Sequence, residues 1–247
     1  DERGGDGLAA FGRDLVAVES HHDRIAQLAL HGATLYSQTM RIGFLGPSGG
    51  DLAALERAAT FLLWTENVAR AVYLGNDGAL DRCVVAWAKR LVGDDPSDEG
   101  AWSRAAELAA HGAPADIDAF VVGERKRLRL RALATIPEGT PYVLETLGEL
   151  TTLLTFGDAP LGEEDLARAH LVVVGNAPAP SLEERGTRSV LELGPIGERG
   201  GVAVLDAQGS GAFVTVYDAN ERELLRAEIS EPHTAKLEIP AELKGRP

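Results

Sequence analysis

Apolar runs that stop at a glycine recur along this chain: RIGFLG (41–46), AVYLG (71–75), LTTLLTFG (150–157), LVVVG (171–175) and SVLELG (189–194). Apolar runs without clean alternation suit strands of a sheet covered on both faces. A glycine at the end of each lets the chain turn sharply as it leaves the sheet. Between these runs apolar residues recur at helical spacing. Helices are expected over about 52–64 (with Asp51 as N-cap), 80–91, 101–111, 114–134 and 161–168, with an acidic loop at 93–100. After 200 the pattern changes to short strands at 202–205, 213–217 and 224–229, joined by turns at 209–211 and 218–220. The chain therefore reads as βα alternation first and a β-meander last. The late strands form either a second sheet or an extension of the first.

The length of 247 residues suits one large domain, or one domain with an appendage. Residues 8–36 carry an amphipathic helical stripe (Phe11, Leu15, Val18, Ile25, Leu28, Leu35), which divides the chain into an N-terminal helical extension, 1–39, and a main domain, 40–247. That stripe has to be covered by its own domain, by a second copy or by another protein. A formal net charge of −14 disfavours nucleic acid and anionic membranes as partners. No apolar run approaches the roughly 20 residues of a membrane span. The single cysteine, Cys83, precludes an intrachain disulfide. With no secretory pattern at the start, the expectation is a cytoplasmic protein.

The sequence GFLGPSGGD (43–51) lacks the G-x-G-x-x-G spacing of a dinucleotide fingerprint. It also lacks the lysine and hydroxyl residue of a P-loop, since Asp51 and Leu52 follow Gly50. It is a tight strand-to-helix turn.

Taken in order, the glycine turns resemble the calcineurin-like metallophosphoesterases, particularly their compact bacterial branch, from about Arg41 to about Ile229. In that family the first strand ends in a motif like S-D-T-H-G-N-L-E-A-L. Here it reads G-P-S-G-G-D-L-A-A-L from Gly46 to Leu55, with Pro47 at the metal-binding Asp and Gly49 at the His. The family's second strand ends in L-G-D, and here in Leu74-Gly75-Asn76. A later H-G becomes Phe156-Gly157. The family's V-V-x-G-H-T-H-x-P becomes VVVGNAPAP (172–180), with Asn176 and Pro178 in place of the two histidines, and Glu192-Leu193-Gly194-Pro195 follows where the family has N-P-G-S. The G-N-H-D/E motif is absent.

The resemblance implies an α/β sandwich of two facing mixed sheets with flanking helices, an αββα arrangement, preceded by the helical extension. It also implies a degenerate site at Pro47, Gly49, Asn76, Phe156, Asn176 and Pro178. A binuclear centre holds two cations about 3.5–4 Å apart and needs anionic carboxylates and imidazoles to offset their repulsion. Two asparagine amides cannot supply that, so no metal, no cofactor and no catalytic residue is expected. The expected function is a non-catalytic, pseudoenzyme member of the fold that acts as a protein-interaction or scaffold module, with a protein partner engaged through the 8–36 helix or with self-association. Two alternatives stand beside it. One is a sensor that holds a small anion or nucleotide at Ser48, Asn76, Asp77 and Asn176. The other is a phosphoric ester hydrolase rebuilt around Asp77, Asp81 and Asp158.

The remaining candidates have plainer readings. Ser48 has no His partner in the pattern, which argues against a serine nucleophile. His21, His22, His31, His111, His170 and His233 sit at no ligand position of the family. His21 and His22 are adjacent on a helix and face different directions, and His170 reads as a helix-end residue. The basic run Arg125, Lys126, Arg127, Arg129 and Arg131 reads as a solvated helix face, with an acidic protein partner as the alternative.

Overall fold

The computed structural model describes residues 40–229, apart from 148–149, 158–160 and 209–210. The 8–36 helix, Asp158, His21, His22, His31 and His233 therefore lie outside the described residues.

Among the described residues, eleven strands form two mixed sheets. In the first, β1 (Met40–Leu45) lies at the centre, with β2 (Arg70–Tyr73) and β3 (Leu133–Thr135) parallel on one side. On its other side β9 (Val202–Gln208), β10 (Gly211–Tyr217) and β11 (Glu223–Ile229) run as an antiparallel meander. The late strands therefore extend the first sheet and do not form one of their own. The second sheet has a parallel centre of β5 (Leu150–Thr155), β6 (Leu171–Val174) and β8 (Arg188–Glu192). Its edges are antiparallel: β4 (Tyr142–Leu147) and β7 (Ser181–Arg185).

Alternation along the strands shows how the layers stack. Phe44, Val72, Leu74, Ala203, Leu205 and Val214 of the first sheet share one core with Leu150, Leu154, Leu171, Val173 and Leu191 of the second. The opposite face of the first sheet carries Leu45, Ala71, Tyr73, Val202 and Val204. It packs on α1 (Leu52–Thr60) and on α2 (Ala79–Val92) through Leu55, Ala59, Leu80 and Trp87. On the outer face of the second sheet, Leu153, Val172 and Val190 are covered by Leu161 and by Leu166 of the short α5 (Glu163–Ala167). This is the expected sandwich of two facing sheets between helical layers.

Three segments depart from the sequence reading. The helix expected over 114–134 ends as α4 (Pro114–Arg129), and after a 3₁₀ turn residues 133–135 become the edge strand β3. Pairing with β2 overrides the helical propensity of this Leu- and Ala-rich stretch. The loop expected at 93–100 is shorter, because Ser97 accepts from the Gly100 N–H at 3.0 Å and starts α3 (Asp98–His111). The polar strand β7 has little apolar signal and exists by pairing at a sheet edge.

Candidate functional site

The first parallel strands and β6 end at the same rim of the sandwich, where the glycines let the two sheets meet. A Cβ added to Gly175 would stand 2.1 Å from the Leu74 carbonyl oxygen, and one added to Gly46 would stand 2.1 Å from the Gly194 carbonyl oxygen. Each contact joins one sheet to the other. The turns at 46–50, 75–78 and 175–178 are thereby drawn together. Across the second sheet, Gly157, at φ +101°, lies beside Asn176.

Among the described residues, the side chains at this rim do not supply the donors of a binuclear metal centre. Pro47, which the resemblance sets at the position of a metal-binding Asp, offers only a carbonyl, and that carbonyl accepts from the Ile196 N–H at 2.9 Å. Gly49 has a positive φ of +60° and brings no ligand. Asn76, Asn176 and Pro178 are exposed, while Phe156 packs into the core between the sheets. Among the described residues, no group of three or more His, Cys, Asp and Glu side chains is placed to hold a metal ion. Two adjacent divalent cations do not fit this donor set.

A residue that sequence reasoning passed over organises the rim. Tyr73, the last residue of β2, is 1% exposed. Its hydroxyl accepts from the Ser48 N–H at 3.0 Å and donates to Asp77 Oδ1 at 2.9 Å. Asp77 Oδ1 also accepts from the Ala79 N–H at 3.0 Å, at the start of α2, and Asp77 Oδ2 takes the Ser48 hydroxyl at 3.5 Å, the outer limit of a hydrogen bond. Ser48 Oγ accepts in turn from the Gly50 N–H at 3.2 Å. Gly75 makes room for the phenol, since a Cβ there would lie 2.3 Å from the Tyr73 hydroxyl. Burial pushes the Tyr73 phenol above its usual range, and the Asp77 carboxylate adds to that. Ser48 and Asp77, offered by the sequence as ligand-binding residues, are thus brought together but bonded to Tyr73 and to backbone. Asp81 is exposed on the first turn of α2, outside this network. The available signal was a tyrosine two residues before a glycine at a strand end, which by itself reads as core.

Two other groups of candidates take structural places. His170 Nδ1 accepts from the Thr151 N–H at 3.0 Å and its carbonyl accepts from the Ser189 N–H at 2.9 Å, so it seeds the β5–β6–β8 ladder and does not end a helix. The basic run is only partly a solvated face. Arg127 is 9% exposed and donates to Glu124 Oε2 at 2.8 Å, to the Pro96 carbonyl at 2.9 Å and to Asp98 Oδ1 at 2.9 Å. Arg129 reaches the Val68 carbonyl at 2.6 Å, and Arg131 bonds Asp98 Oδ2 at 2.6 Å. These bonds from Arg131 and Arg127 hold the Asp98 carboxyl below its usual range. Arg125 and Lys126 are exposed.

No helix among the described residues is long and apolar enough to cross a membrane. No family model matches this sequence. No curated protein matches it either. Solved structures similar to it include a predicted phosphoesterase from Streptococcus pneumoniae, at 14% identity and a TM-score of 0.45 over 78% of this chain and 98% of that one. Vacuolar Protein Sorting 29 from Cryptosporidium parvum is similar at 13% identity and a TM-score of 0.46, over 78% and 99% of the two chains. A novel archaeal phosphodiesterase is similar at 12% identity and a TM-score of 0.39, over 77% and 99%. What assigns the fold is the pair of facing mixed sheets and the order of glycine turns at their shared rim. By that topology, the chain has the fold of the calcineurin-like metallophosphoesterases.

Proposed function

We propose that this chain is a non-catalytic protein of the metallophosphoesterase fold and works as a protein-interaction module. The observation that carries the reading is the hydrogen-bonded closure of the rim by Tyr73, Ser48 and Asp77. Where the fold's chemistry needs charged ligands converging on two cations, the only carboxylate in the first two turns of the rim is bonded to a phenol, a hydroxyl and a helix N–H. Without bound cations nothing lowers the pKa of a water or polarises a phosphoryl oxygen. The same bonds weaken the anion-sensor alternative, because the Ser48 amide and hydroxyl that would meet an anion are already engaged. The division into an N-terminal helical extension, 1–39, and a main domain, 40–247, belongs to this proposal, with the extension as one interaction element.

The test is metal analysis of the purified full chain together with an aryl phosphate assay in added manganese. The expected result is substoichiometric metal and no hydrolysis above buffer. Two equivalents of tightly bound manganese, iron or zinc with turnover would overturn the proposal and favour a rebuilt hydrolase. A thermal shift with phosphate or nucleotides would favour the sensor.

A further inference from the structure

The α3–α4 hairpin carries much of the exposed apolar surface of the described residues. Trp102 is 77% exposed, Val122 51%, Leu128 45%, Ile117 40% and Val121 38%. The inner face of α4 is occupied: Arg127 and Glu124 turn toward α3 and the 96–98 segment, and Gly123 lies against α2, where a Cβ would meet the Leu91 carbonyl oxygen at 3.2 Å. Among the described residues the opposite face has no partner from Ile117 to Arg125, and at its far end Arg129 is bonded to the Val68 carbonyl. The ion pairs of the hairpin engage Arg104, Arg127, Arg131, Glu124 and Asp98, and among the described residues they leave Asp116, Asp118, Arg125, Lys126 and Arg129 of α4 and Glu99 and Glu107 of α3 outside any ion pair, of which Asp118 and Arg125 stand on the free face.

The free face of α4 has an order along its length. Asp118 and Arg125 are seven residues apart, so they share one stripe of the helix, and both are exposed. The midpoint between them falls between Val121 and Val122, which flank that stripe. The helix is thus acidic before its midpoint, apolar at it and basic after it. Such a face is complementary to itself turned end over end. Two copies of α4 packed antiparallel about a twofold axis through the two valines place Asp118 of each beside Arg125 of the other. Small β-branched side chains at the centre suit close approach of two helices.

We propose that the free face of α4 is an isologous docking surface for a second copy of this chain, with Asp118 and Arg125 setting its register. A helix of 16 residues is about 24 Å long, which places the contact at the small end of specific interfaces. The dimer is therefore weak, with a dissociation constant on the order of micromolar. Two copies that each carry −14 repel at long range, and that repulsion is largely screened beyond about 8 Å at physiological ionic strength. The proposal goes beyond the non-catalytic reading and does not depend on it.

Sedimentation equilibrium of the full chain at physiological salt, from low to high micromolar concentration, tests it. The mass should rise with concentration from 26.1 kDa toward twice that value. Asp118→Arg or Arg125→Asp alone sets like charges opposite each other and should raise the dissociation constant by at least about tenfold. The double variant Asp118→Arg/Arg125→Asp restores opposite charges across the axis and should regain the wild-type constant. Both positions are exposed on a helix, so circular dichroism should be unchanged in all three variants. A chain that stays monomeric throughout, single variants that associate like wild type, or a double variant that does not recover would each overturn the proposal. A monomer would leave the reading of the chain as a module for other partners standing, since metal and turnover are measured separately.

Discussion

Replacing Tyr73 with Phe removes one oxygen from the interior and little else. The ring stays in the core on the helix side of the first sheet. Two hydrogen bonds go: the one accepted from the Ser48 N–H and the one donated to Asp77. They do not cost the same. Asp77 is exposed and keeps the Ala79 N–H, so water replaces much of what it loses. Ser48 is 5% exposed, and its amide has no other partner in the network, so leaving it unsatisfied costs about 1–3 kcal/mol. Phe recovers a few tenths because no phenol need be desolvated. The balance is a loss of about 2 kcal/mol, or about 4–8 °C in Tm for a domain of this size. Urea denaturation, read at constant m-value, measures it. The sign of the pH dependence adds a second reading. The folded-state pKa of Tyr73 lies above its ordinary 10.0, so its contribution is complete below pH 10 and is lost as pH rises through the folded value. Wild type should therefore lose more stability than Tyr73→Phe between pH 9 and 11, with the buried Cys83 common to both. A Tyr73→Phe variant within about 0.5 kcal/mol of wild type would refute the claim that the hydroxyl ties the two turns together.

The glycines at the rim should divide by what their Cβ would strike. Gly175→Ala and Gly46→Ala force a carbon to 2.1 Å from a carbonyl oxygen of the other sheet and should destabilise by more than about 4 kcal/mol, visible as loss of soluble protein or of the urea transition. Gly49→Ala meets nothing within 4 Å and should cost only the about 1–2 kcal/mol of its left-handed backbone. Arg127→Met should cost about 1–2 kcal/mol, because Glu124, 13% exposed at its side chain, loses its nearest cation but keeps Arg104 at 3.0 Å, whereas Arg125→Ala should fall within about 0.5 kcal/mol of wild type. The Asp98 carboxyl is held below its usual range by Arg131 and Arg127, so its contribution is present above pH 4 and lost as pH falls through the folded value. Amide exchange in α3 and α4, corrected for intrinsic pH effects, should rise on acidification before exchange in β1 does.

Much of the sandwich was legible in the sequence, because buried parallel strands leave continuous apolar runs and each run was punctuated by a glycine. The run LVVV gives β6 with its bounds, and the turn after β1 follows from Pro47, Gly49 and Asp51. Edge strands left weaker traces: β3 is written in helix-forming residues and β7 in polar ones, and both are fixed by partners far away in sequence. The same distance hid the site. The residues of each turn were legible one by one, but the closure by Tyr73 depends on a contact 25 residues away with Ser48. The glycines were legible yet ambiguous. Gly46 and Gly175 resemble a site motif, and their steric reason is the seam between two sheets, which holds whether or not chemistry takes place beside it.

A bridging cation is a ligand with a concentration, and a fold tied by one gains stability only as far as that concentration exceeds its dissociation constant. The tie between the first two turns here is a phenol that belongs to the chain. It is always present at one equivalent, needs no deprotonated ligand set and cannot be removed by a chelator. Under the proposed non-catalytic reading, the thermal transition of the chain should therefore be the same in the presence of excess chelator and of excess manganese.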